Sequence, residues 1–282
     1  MYQFSLLNGS LLKAENTYLP ATDLSILRGY AVFDYFRIQD GVALFLDDYL
    51  DRFLRSANAL RLQFKWNKDD LRRMIFSLLK SNHQIDGGIR MILTGGSHAS
   101  GYAIDAANLL MISYPHVEYP QWYFETGVKA VTVQHQRELP QIKSINYLSG
   151  IYYRSILENL TAQYLLYHDG MYIRESDRYN IFFVDQEGVL ITPEQKVLHG
   201  VTRKQILELA SKNGIQFETR EIAISEIPNM KEAFFSSTTI GGVPIKQIDD
   251  LTVGSGLPGP VYKKVQTLFE EHCREYAASH GM

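Results

Sequence analysis

The chain has 282 residues, of which 45% are hydrophobic and 21% charged, and its 28 basic and 31 acidic side chains give a net charge of −3. This composition is ordinary for a globular protein and argues against a nucleic-acid partner, and the length predicts one large domain or, preferably, two unequal ones. With no apolar run near the ~18 residues of a membrane span, no signal-peptide pattern and a single Cys273, we expect a cytoplasmic protein that does not enter a membrane.

The first half of the chain predicts an antiparallel sheet with helices on one side. Alternating runs flank Asn8-Gly9 and Asp40-Gly41, residue pairs that favour tight hairpin turns. Helical apolar spacing follows in LDDYLDRFLRSANALRL, and a second helix is predicted behind an Asn67 cap. The runs GGIRMILTGG and NLLMISYP return to strand. We interpret residues 1–116 as a small α+β domain.

The second half begins after a stretch of prolines and aromatics without a period, so a linker is predicted over 117–124 and a larger domain over 125–282. VKAVTVQHQ is a predicted strand, and the run from SGIYYRS to YHDG is predicted as one long helix ending at Gly170. MYIRESDRYNIFFVDQEGVLITP predicts strands, with Glu175 at the end of the first. A helix over GVTRKQILELASKNG, a strand and turn at AFFSSTTIGG and a terminal helix complete the pattern.

Lys143 has an unusual setting in the run QIKSINYLSG. It stands between Ile142 and the apolar pair Ile145 and Tyr147, where an ammonium ion loses part of its hydration. Such a lysine suits chemistry that needs a neutral amine.

Three further groups could bind an anion. Backbone N–H groups at Val201 and Thr202 open a predicted helix, where the dipole favours a phosphate, although Thr202 and Gln205 also fit a simple capping box. The SSTT cluster at 236–239 supplies small donors but is commonly only a turn. Arg52 could add a charge, although an arginine on a helix is usually solvated.

Glu175 precedes a predicted turn, a place where a carboxylate is usually exposed. Beside Lys143 and a phosphate cradle it could instead keep a pyridine nitrogen protonated. Lysine, carboxylate and phosphate cradle together are what pyridoxal 5'-phosphate requires.

The order of segments resembles the class IV (fold-type IV) pyridoxal-phosphate aminotransferases from about residue 3 to the end of the chain. The segments are VFDYFR, LDDYLDRFLRSA, GIRMILTGG, IKSINYL, RESDRYNIFFV, VLHGVTRKQIL, FFSSTTIGGVPI and GLPGPVYKKVQ. The resemblance implies a mixed α+β fold with a small N-terminal domain and a larger, β-barrel-like domain with flanking helices. It also implies a homodimer in which a loop of the second subunit completes the active site.

By the same resemblance, Lys143 is the Schiff-base lysine and Glu175 pairs with the pyridine nitrogen. Thr239 would face the substrate carboxylate. The residues expected to hold the phosphate are Arg52, Val201, Thr202, Ser237 and Thr238.

The chain also departs from its relatives. Arg28 stands ahead of Gly29 where many members have a tyrosine, Asp34 replaces a glutamate, and the T-R-G wording that supplies a carboxylate-binding arginine is missing. Arg28, reaching across the dimer interface, and Arg90 could form a different carboxylate clamp. A structural salt bridge is the alternative for either arginine.

The sequences IKSINYL and FFSSTTI resemble those of D-amino-acid transaminases, which favours an enzyme that uses D-alanine or D-glutamate with 2-oxoglutarate. Arg90 and the aromatic residues Tyr30, Phe33 and Tyr35 leave open a branched-chain aminotransferase. Lys143 could equally serve an aminodeoxychorismate lyase. A non-catalytic ligand-binding relative is disfavoured by the retention of Lys143 and Glu175. The eight histidines show no metal-binding spacing, so no metal site is expected.

Overall fold

The structure, a computed structural model, describes residues 2–281 of the chain as two units. One unit holds the chain up to Val117, the segment Ile142–Asn146 and the residues from Arg274 onward. The other holds Glu118–Gln141 and Tyr147–Cys273. Lys143 therefore belongs to the first unit. The domain boundaries expected from the sequence, 1–116 and 125–282 with a linker between, stay a prediction.

The first unit is built on an antiparallel sheet of six strands in the order β2-β1-β6-β5-β3-β4. Both predicted hairpin turns are confirmed: Asn8-Gly9 joins β1 to β2 and Asp40-Gly41 joins β3 to β4, with positive φ at all four residues. The strands are β1 Phe4–Leu7, β2 Ser10–Lys13, β3 Ala31–Gln39, β4 Val42–Ala43, β5 Gly87–Thr94 and β6 Leu109–Tyr114.

Two helices of the first unit begin at side-chain caps, one of which the sequence predicts. The Asn67 cap is confirmed, because its side chain accepts from the Asp70 N–H and the Asp70 carboxylate accepts from the Asn67 N–H. A buried Asp23 carboxylate caps the first helix by accepting from the Ser25 N–H. The helices are α1 Leu24–Arg28, α2 Leu46–Ala59 and α3 Lys68–Ser81, with a 3₁₀ turn at Ala14–Asn16.

Strand β3 presents two different faces because side chains alternate along a strand. Val32, Phe36 and Ile38 are fully buried in the core. Phe33 and Tyr35 point to the other, half-exposed face. This second face carries Phe33 and Tyr35 and, on the paired strand β5, Arg90, whereas Asp34 lies on the buried face.

The second unit contains a mixed sheet in the order β11-β10-β9-β12-β13-β7-β8, with β14 beside β13. The pairs β7–β8, β7–β13 and β10–β11 are parallel and the other pairs antiparallel. The predicted mixed α+β class is confirmed. The strands are β7 Val128–Gln134, β8 Tyr164–His168, β9 Asn180–Val184, β10 Leu190–Thr192, β11 Phe217–Thr219, β12 Glu232–Ser237, β13 Gly241–Ile248 and β14 Leu251–Thr252.

Five further helices follow β6 in the described part of the chain. The predicted helix at GVTRKQILELA and the predicted terminal helix are confirmed. None of the helices within residues 2–281 is long and apolar enough to cross a membrane. The helices are α4 Trp122–Thr126, α5 Leu148–Tyr152, α6 Arg154–Asn159, α7 Val201–Lys212 and α8 Pro260–His280, with a 3₁₀ segment at Ile224–Asn229.

The prediction of one long helix ending at Gly170 was wrong. The region forms α5 and α6, the backbone turns left-handed at Thr161 (φ 50°), and Tyr164–His168 becomes β8. The run YLLY is buried and pairs with β7, so burial in the sheet overrides its helical spacing. The predicted strand before Glu175 is also absent, because only isolated bridges occur at Tyr172 and Ile173.

Candidate active site

Lys143 lies on a short extended segment that pairs with the start of β3. The Phe33 N–H donates to the Lys143 carbonyl (2.9 Å), and the Ile145 N–H donates to the Ala31 carbonyl (3.1 Å). The Lys143 N–H donates to Ser56 Oγ at 3.3 Å. Its Nζ stands 4.7 Å from the centroid of the Phe33 ring. Backbone pairing with a sheet, rather than a free loop, thus positions this amine.

Arg90 lies on the same face of the sheet as Phe33. Arg90 is directly opposite Tyr35 in the β3–β5 register. Its Cζ lies 5.7 Å from the centroid of the Phe33 ring and 4.9 Å from that of the Tyr114 ring. The Arg90 Nε is buried and has no hydrogen-bond partner among residues 2–281. A buried donor without an acceptor is costly, so the site favours an anionic ligand. Lys143 and Arg90 therefore flank one aromatic ring.

The two other substrate residues predicted near this face have different environments. Arg28 is exposed at the last residue of α1, where its Nη1 donates to the Leu27 carbonyl (2.8 Å), and it forms no ion pair in the described chain. The hydroxyl of Tyr30 donates to the Leu60 carbonyl at 2.6 Å. Tyr30 can therefore offer a ligand its ring more readily than its hydroxyl.

Arg52 is buried on α2, so the solvated interpretation of this residue was wrong. Its Nε and Nη2 donate to the two carboxylate oxygens of Asp34 at 2.9 and 2.6 Å, and the side chains are 6% and 0% exposed. Asp34 also accepts the Tyr35 N–H at 2.8 Å. A phosphate-binding role for Arg52 stays a prediction.

Glu175 is 5% exposed, so the exposed-turn interpretation was wrong. Its Oε1 accepts from Arg137 Nη1 at 3.0 Å and its Oε2 accepts from the Leu198 N–H at 2.9 Å. Its carbonyl accepts from the Tyr167 N–H at 2.8 Å, which fixes the backbone. A guanidinium and an amide N–H both stabilise a negative charge on this carboxylate.

Tyr167, whose N–H donates to the Glu175 carbonyl, and its ring neighbour His135 carry no charge near pH 7. Burial raises the pKa of Tyr167 to about 12. Burial and, second, the Arg137 charge lower the pKa of His135, whose ring centroid lies 4.7 Å from that of Tyr167. Both groups are consequently neutral near pH 7, and Arg137 is the cation that contacts the Glu175 carboxylate.

Helix α7 begins at an N-cap glycine, Gly200, without a side-chain cap. A Cβ at this position would lie 2.1 Å from Asn180 Oδ1, and Asn180 Nδ2 donates to the Leu198 carbonyl at 2.7 Å. Val201 and Thr202 follow and are buried. The capping-box interpretation of Thr202 was wrong, because Gly200 occupies the N-cap. The uncapped start leaves backbone N–H groups for an anion.

The turn between β12 and β13 contributes hydroxyl groups. Ser237 Oγ and Thr239 Oγ1 lie 3.4 Å apart, and Thr239 Oγ1 is 2.8 Å from the Tyr119 hydroxyl. Ser236 is opposite Asn180 in the β9–β12 register, and its buried Oγ has no partner in the described part of the chain. Thr238, which stands between Ser237 and Thr239 in the sequence, is half-buried.

These groups of the second unit fit pyridoxal 5'-phosphate. The Leu198 N–H holds the Glu175 carboxylate, and α7 begins three residues later at Val201. A carboxylate suited to a pyridine nitrogen is therefore tied to the same short segment as a helix start suited to an anion. The buried hydroxyl of Ser236, which has no hydrogen-bond partner within residues 2–281, could serve as a further donor. Sequence reasoning missed Arg137 and Tyr119, because neither lies in a recognisable motif.

No metal-binding group was found in the part of the chain that the structure describes. Among residues 2–281, no three or more His, Cys, Asp or Glu side chains are arranged to hold a metal ion.

Comparisons with known proteins give a family match and similar solved structures. The sequence profile of the family described as amino-transferase class IV matches residues 31–248. The D-alanine aminotransferase of Bacillus licheniformis is 28% identical over 271 residues, which cover 94% of this chain and 95% of that protein. A putative branched-chain-amino-acid aminotransferase of Methanocaldococcus jannaschii is 28% identical over 278 residues, 94% of each chain. The solved branched-chain amino acid aminotransferase of Escherichia coli shares the fold, with a TM-score of 0.90 at 24% identity over 97% of this chain and 95% of that chain.

Proposed function

Because the chain belongs to the class IV aminotransferases, whose cofactor is pyridoxal 5'-phosphate, we propose that it moves the amino group of a D-amino acid to a 2-oxo acid. The proposed donors are D-alanine and D-glutamate, and the proposed acceptor is 2-oxoglutarate. The observation that carries this proposal is the placement of the Lys143 amine and the Arg90 guanidinium against one ring, Phe33. Similarity to a D-alanine aminotransferase over nearly the whole chain supports the choice of D-amino acids.

Lys143 and Glu175 carry the reaction in this proposal. When bound, the cofactor withdraws electrons from the bond between the substrate α-carbon and its hydrogen. Lys143 Nζ would be the covalent attachment point of the cofactor, and the substrate amine would displace it. The freed Lys143 amine would then take the proton from the substrate α-carbon and pass it to the cofactor carbon that receives the amino group. Glu175, held by Arg137, keeps the proton on the pyridine nitrogen. Donors proposed for the phosphate are Arg52, Val201, Thr202, Ser237 and Thr238.

Arg90 and Arg28 form the proposed clamp for the α-carboxylate. The buried Arg90 Nε without a partner supports this role, and neither arginine forms an ion pair within residues 2–281, so the salt-bridge alternative has no support. Phe33, Tyr30 and Thr239 line the rest of the proposed substrate site. Guanidinium groups bind carboxylates through two parallel hydrogen bonds, which would fix the orientation of the α-carbon.

We further propose that the enzyme is a homodimer and that Arg28 serves the active site of the neighbouring subunit. Arg28 is exposed at the end of α1, beside the exposed apolar residues Ile26 and Leu27. Exposed apolar side chains next to a functional cation are what a subunit interface would cover. Sedimentation analysis of the purified protein tests the dimer, and a monomer at micromolar concentration would contradict it.

The experiment that tests the function is a panel of half-reactions. The cofactor absorbance of the purified protein is followed after addition of single D- or L-amino acids, with Lys143→Ala as the inactive control. We expect D-alanine and D-glutamate to bleach the band and their L-enantiomers to leave it unchanged. Arg28→Ile should raise the half-saturation for the 2-oxo acid while the cofactor stays bound. No response to any D-amino acid would overturn the proposal.

A branched-chain L-amino-acid aminotransferase is the second candidate. The similarity to the putative branched-chain enzyme of Methanocaldococcus jannaschii, at 28% identity over 94% of the chain, favours it. Tyr30, Phe33 and Tyr35 would then form an apolar pocket beside Arg90. If L-leucine bleaches the cofactor band and D-alanine does not, this candidate replaces the first.

A further inference from the structure

Arg37 is a second arginine on the face of strand β3 that carries Phe33 and Tyr35. Side chains two residues apart on a strand point to the same face, so residues 33, 35 and 37 lie in one row. Arg37 is half-buried, and its Nε is buried without a hydrogen-bond partner in the part of the chain that the structure describes. A buried donor of this kind is costly unless a ligand supplies the acceptor.

The register of the sheet makes Arg37 a neighbour of Arg90. In the β3–β5 pair, Arg90 is opposite Tyr35 and Gly88 is opposite Arg37, so the two arginines are diagonal neighbours on one face. Diagonal positions are roughly 7–8 Å apart, which long side chains can bridge. The Arg90 Nε is likewise buried and has no hydrogen-bond partner within residues 2–281. Two neighbouring guanidinium groups repel each other, and a bound anion would stabilise both.

Gly88 leaves the position opposite Arg37 to the ring of Tyr35. A Cβ at Gly88 would lie 2.2 Å from the Tyr35 hydroxyl oxygen and 2.7 Å from the Phe36 carbonyl oxygen. The Tyr35 ring also contacts that of Tyr114 edge-on, with 6.4 Å between the centroids. The residues of β3, β5 and β6 on this face include no aspartate or glutamate. The two cations therefore have aromatic rings beside them and no carboxylate across the strands.

The order of the charged groups along β3 matches a dicarboxylic acid. The Lys143 amine lies 4.7 Å from the centroid of the Phe33 ring. Arg90 is level with Tyr35, and Arg37 stands two residues further along β3. Two residues of a strand span roughly 7 Å, and the two carboxylate carbons of an extended five-carbon diacid are roughly 5 Å apart. A substrate with its α-carbon at the amine and its α-carboxylate at Arg90 would extend its second carboxylate toward Arg37.

We infer that Arg37 binds the second carboxylate of a dicarboxylic substrate and so sets the preference for D-glutamate and 2-oxoglutarate over D-alanine. The inference rests on the proposed function, because it takes Lys143 and Arg90 as the groups that hold the α-carbon and the α-carboxylate. A guanidinium group binds a carboxylate through two parallel hydrogen bonds, and the unpartnered Nε of Arg37 is one of its donors. D-Alanine has no group for this position.

Replacement of Arg37 by glutamine tests the inference, because it removes the charge and retains much of the side chain. We expect the ratio of kcat/KM for D-glutamate to kcat/KM for D-alanine to fall about 10- to 100-fold, the usual cost of a charged hydrogen bond. Arg37→Lys should lower this ratio less. Arg73→Gln is the matched control, because Arg73 is 71% exposed on α3 and pairs with Asp70; it should leave the ratio unchanged. An unchanged ratio in Arg37→Gln would overturn the inference.

An unfolding measurement distinguishes a ligand-binding arginine from a structural one. Because the Arg37 Nε has no partner to lose, Arg37→Met should unfold at a urea concentration no lower than the parent protein does. Arg37→Met also removes the charge, so it serves as the second variant in the kinetic test if Arg37→Gln does not fold. A clearly lower unfolding midpoint for Arg37→Met would assign Arg37 to the fold and overturn the inference.

A binding measurement separates this inference from the proposed function. Calorimetric titration of the cofactor-loaded protein with glutarate and with butyrate compares two unreactive acids that differ by one carboxylate. We expect glutarate to bind more tightly than butyrate, and Arg37→Gln to reduce that preference about 10-fold or more. Equal affinity for the two acids in the parent, or an unchanged preference in Arg37→Gln, would overturn the inference. Failure of every D-amino acid to react with the parent would overturn the proposed function instead, and the titration would still report on Arg37 because it requires no turnover.

Discussion

Replacing Arg137 by leucine is expected to lower the free energy of unfolding by roughly 3 to 5 kcal/mol, because it removes a guanidinium that pairs with the buried Glu175 carboxylate. The Arg137 Nη1 and Glu175 Oε1 atoms are 3.0 Å apart, and the two side chains are 15% and 6% exposed. At an effective dielectric constant of about 20, charges at this separation attract by roughly 5 kcal/mol. The Leu198 N–H bond to Glu175 remains in the variant and keeps the loss near that range.

The assay is urea unfolding of the cofactor-free protein, so that cofactor loss does not contribute to the difference. Glu175→Gln removes the buried charge, and in that background Arg137→Leu should cost at least about 1 kcal/mol less than in the parent. Arg220→Leu is the matched control: its ion pair with Glu226 spans 2.8 Å, but both side chains are about one-third exposed, so we expect a loss of at most about 1 kcal/mol. A cost for Arg137→Leu that is as small as the control, or equal in both backgrounds, would refute the reasoning.

Three other predictions concern the cofactor site, the dimer and acid stability. Gly200→Ala should weaken cofactor affinity by about 10-fold or more in an absorbance titration, because the added Cβ would lie 2.1 Å from Asn180 Oδ1; unchanged affinity would contradict an anion site there. Arg28→Ile subunits, assayed well below their raised half-saturation for the 2-oxo acid, and inactive Lys143→Ala subunits should regain activity when co-expressed, since a mixed dimer then contains one intact site; no recovery would contradict exchange of Arg28 between subunits. Hydrogen bonds to Asp169 outweigh its burial and hold the pKa of this carboxyl well below its usual range, so the stability it adds is complete above pH ~4 and is lost as pH falls further. Asp169→Asn should therefore cost more unfolding free energy at pH 6 than at pH 3, and equal costs would refute this.

The parts of the fold that local signals govern were predictable from the sequence. Asn8-Gly9 and Asp40-Gly41 specify their hairpins because both residues of each pair accept positive φ, and Asn67 starts α3 through bonds to its own helix. Strand β8 was not predictable, because its run of aromatic and leucine residues also fits a helix. Only pairing with β7, which is distant in the sequence, decides the outcome.

The candidate site also contains some residues that the sequence predicts and others that it does not. Lys143 and Glu175 stand in motifs whose order along the chain can be recognised without coordinates. Arg137 and Tyr119 do not stand in such motifs. Each is recognisable only by its contact in the folded chain, Arg137 with the Glu175 carboxylate and Tyr119 with the Thr239 hydroxyl. Spacing in the sequence carries no information about such contacts.

The backbone between Leu198 and Val201 limits the distance between two parts of the candidate site. One end anchors the Glu175 carboxylate and the other opens α7, and the backbone between them can span no more than about 3.5 Å per residue. Side chains in this stretch can vary, but adding or removing one residue would shift the two anchors relative to each other. If Glu175 holds the ring nitrogen and the start of α7 holds the phosphate, as proposed, a change in this backbone length would exclude a ligand with the spacing of pyridoxal 5'-phosphate.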